Sequence, residues 1–323
     1  MIRLHNIPKS TRILLGILTF ISGLSFILKY QQYRYLTTSS NPINFHDVKI
    51  PFLQLIPKST IYNPWVLVTS IFAEITIISY LLSFSILFIS SKFVERFWGY
   101  IEVLKFILIV GSITNLITVI IAIISNIVRE DVKNMNNPLG GGISYYFGFL
   151  VVFKQLIPEH NIVLFQGLIN FRIKHVPFAL LIILTIWSLI ISQSLYPAIP
   201  SIFSFFVSFI YLRFFQQLNV EAILPGGDNS ILIGDASDTF QLVEFFPQLL
   251  KPYLIPIFNE IYEVAVLLGI ITSFNDEIVE QSNLRAQKRQ EQTSKAVNKS
   301  VAERRRQVAL QVIEDRINNQ NNI

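Results

Sequence analysis

The sequence predicts an all-α polytopic membrane protein with six spanning helices and a cytosolic, partly helical C-terminal region. Charged residues make up 15% of the chain, well below the ~25% that is typical of soluble domains. Hydrophobic residues make up 52%, and the mean hydropathy is +0.51. Uncharged runs such as Ile107–Ile124 and Leu180–Ile191 are typical of helices that cross a bilayer, because a helix satisfies its own backbone hydrogen bonds there. A soluble fold is therefore excluded.

Charge balance and the absence of cysteine narrow the chemistry. The chain has no cysteine, so it forms neither disulfides nor thiolate metal sites. Its net charge of +5 is small and fits basic cytosolic loops better than a nucleic-acid surface. No pattern of histidines and carboxylates predicts a metal or another cofactor, and we expect none of these and no nucleic-acid partner.

Six apolar segments predict the spanning helices. In chain order they are Ile13–Leu28, Ile75–Ser90, Leu104–Val128, Gly140–Leu156, Val176–Ser192 and Ala198–Phe215. Basic residues precede the first segment, as in a signal peptide, but the bulky polar residues after it offer no cleavage site. We therefore expect the first segment to be a retained anchor.

The basic residues of the short loops predict the orientation. With a cytosolic N-terminus, one side of the membrane receives a dense set, which comprises Arg3, Lys9, Arg12, Lys92, Arg96, Lys105, Lys154, Arg172, Lys174 and Arg213. The other side holds fewer, spread over a long first loop and a short acidic one. Because cytosolic loops are enriched in lysine and arginine, we expect both termini in the cytosol and the loop 31–63 in the lumen.

Three motifs in the first two-thirds of the chain resemble the rhomboid pattern. Thr69 and Phe72 end a tryptophan-containing first loop as Thr-x-x-Phe. Glu95, Arg96 and Gly99 form Glu-Arg-x-x-Gly before the third segment, and Gly142-Ile143-Ser144 lies where rhomboid proteases carry their nucleophile. In rhomboid-like proteins the Glu-Arg motif buttresses a loop, so the resemblance implies a structural role for Glu95, Arg96 and Gly99.

Over most of its length the chain more closely resembles the transmembrane protein 115 family, which are rhomboid-like proteins of the eukaryotic Golgi. The resemblance rests on the stretches VERFWGYIEVL (94–104), GFLVVFKQL (148–156), YLRFFQ (211–216), GDASDTF…FFP (234–247) and AERRRQVALQVIEDR (302–316). It implies residence in the Golgi membrane and a role in Golgi-to-ER retrograde transport. A tethering complex such as the conserved oligomeric Golgi complex is the implied partner.

The sequence lacks a base for Ser144. Serine is a weak nucleophile that an adjacent base must activate, and in rhomboids this base is a histidine on the sixth helix. Here the sixth segment has no histidine. His160 and His175 belong near the cytosolic side, and His5 precedes the first segment, whereas Ser144 begins near the lumenal side. His46 lies in the lumenal loop without a partner pattern and stays open as a candidate.

Groups that stabilise developing negative charge are also missing. Rhomboids place a histidine and an asparagine on the second helix, and the matching positions here hold Ser79 and Ser83. Glu74 replaces a preceding loop histidine, and Tyr145 replaces the glycine after the nucleophile. These departures predict a pseudoprotease.

A structural role explains Ser144 better. Gly141, Ser144 and Gly148 follow i, i+3, i+7 spacing, which would place small residues on one helix face and allow close helix contact in a membrane. The opposing surface could come from Gly111, Ser112, Ser201, Ser204 and Ser208. For Glu74 we expect a structural hydrogen bond or ordinary solvation, and for Asn115 a hydrogen bond to another helix.

The C-terminal third changes character after the membrane domain, 1–216. The region 217–274 contains an amphipathic helix over Leu254–Phe274, which lies on the membrane or on the bundle. Residues 275–300 are polar and predict a flexible linker, followed by an amphipathic helix over Ser300–Asn318. Arg304, Arg305 and Arg306 turn mostly away from its apolar side and could bind a partner or anionic lipid, or simply be solvated.

Together these observations predict a catalytically inert, rhomboid-like Golgi protein that binds transmembrane clients and recruits trafficking or tethering factors through its cytosolic tail. The terminal helix also allows a homo-oligomer. The alternative is an active intramembrane serine protease that uses Ser144. A small-molecule transporter would need inverted repeats or paired broken helices, and the sequence has neither.

Overall fold

A computed structural model describes residues 7–39, 44–164, 169–219 and 231–291, together with Arg306. It confirms the prediction of an all-α polytopic membrane protein. In chain order the α-helices are α1 (Lys9–Ser39), α2 (Pro57–Thr60), α3 (Val66–Thr69), α4 (Ile77–Trp98), α5 (Tyr100–Arg129), α6 (Val132–Asn136), α7 (Ile143–Leu156), α8 (Val176–Trp187), α9 (Ala198–Ile210), α10 (Lys251–Leu267) and α11 (276–291).

Shorter elements connect these helices. Helices α8 and α9 continue into single π-helical turns, Ser188–Ser192 and Tyr211–Phe215. Among the described residues, β1 (Asn161–Leu164) pairs antiparallel with β2 (Ile169–Arg172), and β3 (Gln217–Asn219) pairs antiparallel with β4 (Ile231–Ile233). The 3-10 turns in this part of the chain are Phe45–Asp47, Ile173–His175, Asp238–Phe240 and Leu242–Phe245.

Within the described residues, five helices are long and apolar enough to cross a membrane. They are Lys9–Thr38, Ile77–Trp98, Tyr100–Arg129, Ile173–Ser192 and Ala198–Phe215. The remaining predicted span is α7, whose 14 residues reach only about 21 Å, less than the ~30 Å hydrocarbon core. Most of its residues are buried, against α5 and α9 among others. Helix α7 is therefore the most enclosed of the predicted spans, and it packs on α4, α5, α8 and α9, whereas α1 packs on α4 and α5.

The bundle has two ends. The loop end carries residues 44–76, and the tail end carries residues 217–219 and 231–291. Helix α1 starts beside the last turn of α4, because the Glu95 carboxylate accepts hydrogen bonds from the Lys9 and Ser10 backbone N–H groups at 3.0 and 2.9 Å. A carboxylate at a helix N-terminus satisfies free N–H groups and complements the helix dipole. Glu95 thereby fastens α1 to the tail end.

The Glu-Arg-x-x-Gly motif joins two spans. Gly99 separates α4 from α5 with φ of +81°, a conformation that favours glycine, so the chain can reverse direction in a single residue. Arg96 is exposed at this turn.

Helix α1 is longer than the sequence indicated. Residues 31–39, predicted to belong to the first loop, are helical. The chain has neither glycine nor proline between Gly23 and Pro42, so nothing in the backbone stops the helix where the apolar residues end.

The prediction of a flexible linker is wrong for residues 276–291. This segment is the helix α11, and it packs on residues 235–238 of the tail end. Its polar composition resembles that of a linker. The helix is nevertheless held in place, because it forms tertiary hydrogen bonds and does not depend on an apolar face alone. The predicted helix over Ser300–Asn318 lies outside the described residues, except for Arg306, which is helical and exposed.

Candidate functional site

Ser144 lies in the first turn of α7 and is fully buried. Gly142 precedes the helix as its N-cap residue. The Ser144 hydroxyl donates a 3.0 Å hydrogen bond to the Gly141 carbonyl, three residues back in its own chain. The serine proton is therefore held by a backbone carbonyl and not by a base.

Glu74 occupies the corner beside this turn. Its carboxylate accepts hydrogen bonds from the Gly142 backbone N–H at 2.8 Å and from the Ser83 hydroxyl. The Ser83 hydroxyl also lies 2.5 Å from the Tyr146 hydroxyl. Three elements thus meet at one carboxylate, namely the segment before α4, the second turn of α4 and the start of α7.

Two glycines permit this close approach. Gly141 has φ of +108°, and a Cβ atom there would lie 3.3 Å from Glu74 Oε2. A Cβ atom on Gly142 would lie 2.5 Å from the Ser83 hydroxyl oxygen and from a Tyr146 ring carbon. Any side chain at Gly142 would therefore displace the network.

Burial raises the pKa of Glu74, and hydrogen bonds from Ser83, Gly142 and Ser79 oppose that shift. All three donors are neutral, so no cation offsets the loss of hydration of the carboxylate. The sequence predicted either a structural hydrogen bond or ordinary solvation for Glu74, and the structure shows the hydrogen bond. The sequence did not indicate that the partner is the Gly142 N–H, since nothing local links residues 68 positions apart.

Two of the histidines lie at the tail end, away from the first turn of α7. His160 follows the end of α7, His175 is the N-cap residue of α8, and both are exposed. Along α7, Ser144 is about 18 Å from Leu156, the last helical residue. His5 lies outside the described residues, and His46 falls in the 3-10 turn of the loop end.

Gly148 marks a tight contact between α7 and its neighbours. A Cβ atom there would lie 2.9 Å from the Ser208 hydroxyl oxygen of α9 and 3.1 Å from the Phe106 ring of α5. Gly141 is not on this helix face as the sequence suggested, because it belongs to the turn before α7. Gly111 contacts Ile71 and not α7.

Asn115 ties α5 to the loop end. Its side-chain amide donates to the Leu67 carbonyl at 2.9 Å and to the Ser70 hydroxyl at 3.1 Å. The short helix α3 is thereby held against the middle of a long span.

A second carboxylate, which is buried, organises the tail end. Asp235 is 3% exposed. Its Oδ2 accepts from the Gln155 amide of α7 at 2.9 Å and from the Arg289 guanidinium of α11 at 2.7 Å. Arg213, at the end of α9, donates to the backbone carbonyls of Asp235 and Ser237 at 2.8 and 2.7 Å. We call Asp235, Gln155, Arg213 and Arg289 the tail cluster.

Burial by itself would raise the pKa of Asp235. The charge of Arg289, with hydrogen bonds from Arg289, Ser237 and Gln155, outweighs burial and holds this pKa below its usual range. Asp235 therefore stays ionised at neutral pH and pairs with a cation.

Further contacts fix the segment 234–240 in the tail end. Lys154 Nζ donates to the Thr239 carbonyl at 3.1 Å and lies 3.9 Å from the centre of the Phe245 ring. The hydroxyl of Ser282 and the side-chain carbonyl of Asn283, both on α11, accept from the backbone N–H groups of Ala236 and Asp238 at 3.2 and 2.8 Å. The sequence stretch GDASDTF thus forms the surface on which α11 packs, a role that no local sequence pattern indicated.

Two of the arginines predicted to contact a partner or lipid, Arg304 and Arg305, lie outside the described residues. Among the residues that the structure describes, no three histidine, aspartate or glutamate side chains are grouped so that they could hold a metal ion.

Fold and site together define an integral, multi-pass membrane protein with a serine-bearing central helix. The chain belongs to the family described as eukaryotic integral membrane protein (DUF1751), whose model matches residues 12–319. It is 33% identical to the transmembrane protein 115 homolog of Saccharomyces cerevisiae, over 98% of this chain and 95% of the yeast protein. These matches confirm the family resemblance.

More distant relatives point the same way. Rhomboid-like protein 19 of Arabidopsis thaliana is 32% identical over 67% of this chain and 66% of the plant protein. Transmembrane protein 115 of Mus musculus is 24% identical over 78% of this chain and 67% of its own length. These names support a rhomboid-like membrane protein. No solved structure matches the chain.

Proposed function

We propose that this protein is a catalytically inactive, rhomboid-like protein of the Golgi membrane that supports Golgi-to-ER retrograde vesicle transport. The observation that carries the inactive assignment is the geometry of Ser144. Its hydroxyl is buried and donates to the Gly141 carbonyl, whereas a catalytic serine must donate to a base within hydrogen-bond reach.

The surroundings of Ser144 also oppose the chemistry of a protease. Acyl transfer develops negative charge on an oxygen, and that charge needs free N–H or O–H donors. Here the Gly142 N–H and the Ser83 hydroxyl already donate to Glu74. Once ionised, this carboxylate would repel a second negative charge in the same corner.

The bundle supports binding of transmembrane clients at its periphery. In α8 proper, Pro177 is the only buried residue among those described. Its apolar side chains are exposed to the surroundings, and they include Ile182, Ile183, Ile186 and Trp187. A span with so little packing of its own presents a lateral surface on which another transmembrane helix can pack.

The tail completes the proposal. With both termini in the cytosol, as the loop charges favour, α11 ends at residue 291 on the cytosolic side of the bundle. Arg304, Arg305 and Arg306 then recruit trafficking or tethering factors, for which the conserved oligomeric Golgi complex is our candidate. The Golgi location and this partner rest on the family resemblance.

Charge reversal in the full chain tests the recruitment step. Cells that lack the protein are supplied with Arg304→Glu, Arg305→Glu, Arg306→Glu together, and retrieval of an ER-resident reporter from the Golgi is timed. We expect slowed retrieval with normal abundance and location of the variant. The matched control replaces the same three residues by lysine and should restore retrieval. Full rescue by the glutamate variant would refute recruitment through these arginines.

The competing function is an active serine protease, because the Gly-x-Ser outline is retained. A fluorophosphonate probe applied to the purified full chain in lipid nanodiscs distinguishes the two. We expect Ser144 to remain unlabelled, since among the described contacts its hydroxyl donates to the Gly141 carbonyl and not to a base. Labelling that disappears in Ser144→Ala would establish the protease instead.

A further inference from the structure

Helix α10 carries an exposed apolar stripe. Ile257, Ile261, Val264 and Leu268 recur at helical spacing, and their side chains are 51–69% exposed. At 100° per residue they lie roughly opposite Asn259 and Glu263, which are also exposed. None of the 17 residues of α10 is buried. The helix is therefore amphipathic, and the described chain covers neither its apolar nor its polar side.

The remaining face of α10 is anchored to the ends of two spanning helices. Phe258 packs on Phe246 with ring centres 5.7 Å apart, and Phe246 packs on Phe178 in the first turn of α8 at 5.1 Å. Tyr262 stacks on Phe214 in the last turn of α9 at 6.2 Å. These contacts hold α10 at the level where α8 enters the bundle and α9 leaves it.

That level matches the tail end of the candidate span Ile173–Ser192. The side chains Ile182, Ile183 and Ile186 of this span are 43–56% exposed, as expected of a surface that faces lipid. The stripe on α10 has a similar degree of exposure, and the ring contacts of Phe178, Phe246 and Phe258 join α10 to the start of α8. The only lysine or arginine in α10, Lys251, pairs with Glu244 at 2.6 Å.

We propose that α10 is an interfacial helix whose apolar stripe contacts lipid acyl chains in the leaflet at the tail end. Its polar flank, with Asn259 and Glu263, faces water. Because that flank is acidic, insertion depends on apolar contact and not on attraction to anionic headgroups. The helix extends the membrane footprint of the bundle and fixes the distance of α11 from the bilayer.

The natural absence of cysteine allows a direct measurement. Ile261→Cys and Glu263→Cys are made separately in the full chain, labelled with a nitroxide and placed in phosphatidylcholine nanodiscs. Collision of each label with oxygen, which concentrates in lipid, is compared with collision with a water-soluble nickel chelate. Ile257→Cys repeats the test on the stripe if Ile261→Cys fails to fold.

We expect the label at residue 261 to collide several-fold more with oxygen than with the nickel chelate, and the label at residue 263 to show the reverse. Dominant nickel collision at residue 261 would overturn the proposal and place the stripe in water. Protection from both reagents would also overturn it, because the stripe would then lie against protein. Dipolar broadening between labels would identify that protein as a second copy of this chain.

Discussion

Each end of the bundle is organised by a carboxylate, half-buried at the loop end and buried at the tail end, and the two carboxylates have different partners. Glu74 at the loop end accepts from neutral donors, the Gly142 N–H and the Ser83 hydroxyl. Asp235 at the tail end accepts from Gln155 and from the guanidinium of Arg289. Their pKa values consequently move in opposite directions, up for Glu74 and down for Asp235.

Because of this difference in pKa, Glu74 can take up a proton, whereas Asp235 stays ionised in its pair with Arg289. The tail cluster connects elements far apart in sequence, α7, α9 and α11, and requires Asp235 to be charged. The Glu74 corner closes the site where a protease would need an accessible serine. At the loop end Glu74 thus holds the turn before the buried Ser144, whereas at the tail end Asp235 joins α11 to the end of α7.

Removal of Asp235 should have the largest effect. Asp235→Ala leaves Arg289 without this carboxylate and removes the acceptor for Gln155, and loss of one partner of a buried pair destabilises by about 3–5 kcal/mol. We expect a lower unfolding temperature in detergent and faster hydrogen exchange over 276–291. Asp276→Ala, at an exposed carboxylate of α11, is the control. Equal, small effects of both variants would show that Asp235 does not stabilise the tail end.

Packing at the loop end and in the middle of α7 should come next. Gly142→Ala places a Cβ atom 2.5 Å from Ser83 Oγ, and Gly148→Ala places one 2.9 Å from Ser208 Oγ. Overpacking of this kind costs about 1–3 kcal/mol. Thermal unfolding of the purified protein measures it. Gly23→Ala is the matched control, because a Cβ atom there meets nothing within 4 Å, and it should be neutral or mildly stabilising. If Gly142→Ala proved as stable as this control, the close packing around Ser83 would be wrong.

A pH series distinguishes the two carboxylates with a smaller effect. Since the folded pKa of Glu74 is raised, the folded state binds its proton more tightly than the unfolded state. The free energy of unfolding should therefore fall as pH rises from the ordinary glutamate pKa through the raised one, and Glu74→Gln should abolish that fall. Asp235 acts in the opposite sense, because its contribution is complete at neutral pH and is lost only in strong acid.

Denaturation at pH 5 and pH 7.5, for the wild type and for Glu74→Gln, measures this difference. The variant should gain stability relative to the wild type as pH rises. A difference between the two proteins that did not change with pH would show that Glu74 does not titrate differently on folding.

The sequence predicted the five long spans because apolar runs are a local signal, whereas the inactivity of Ser144 stays a prediction drawn from residue identity. Prediction from the sequence failed where distant contacts decide the structure. Helix α11 is polar, and its position depends on Arg289 meeting Asp235, 54 residues away. Gly141 was assigned to a helix face, yet the chain turns there with positive φ so that Gly142 can reach Glu74.

Replacement of Ser144 should have the smallest effect, and it tests the central claim most directly. Cells that lack the protein are supplied with Ser144→Ala, and retrieval of an ER-resident reporter from the Golgi is timed beside the wild type. The Ser144 hydroxyl donates only to the Gly141 carbonyl among the described contacts, so we predict full rescue at the wild-type rate. Loss of rescue by a variant that folds and reaches the same membrane would contradict an inactive, rhomboid-like function.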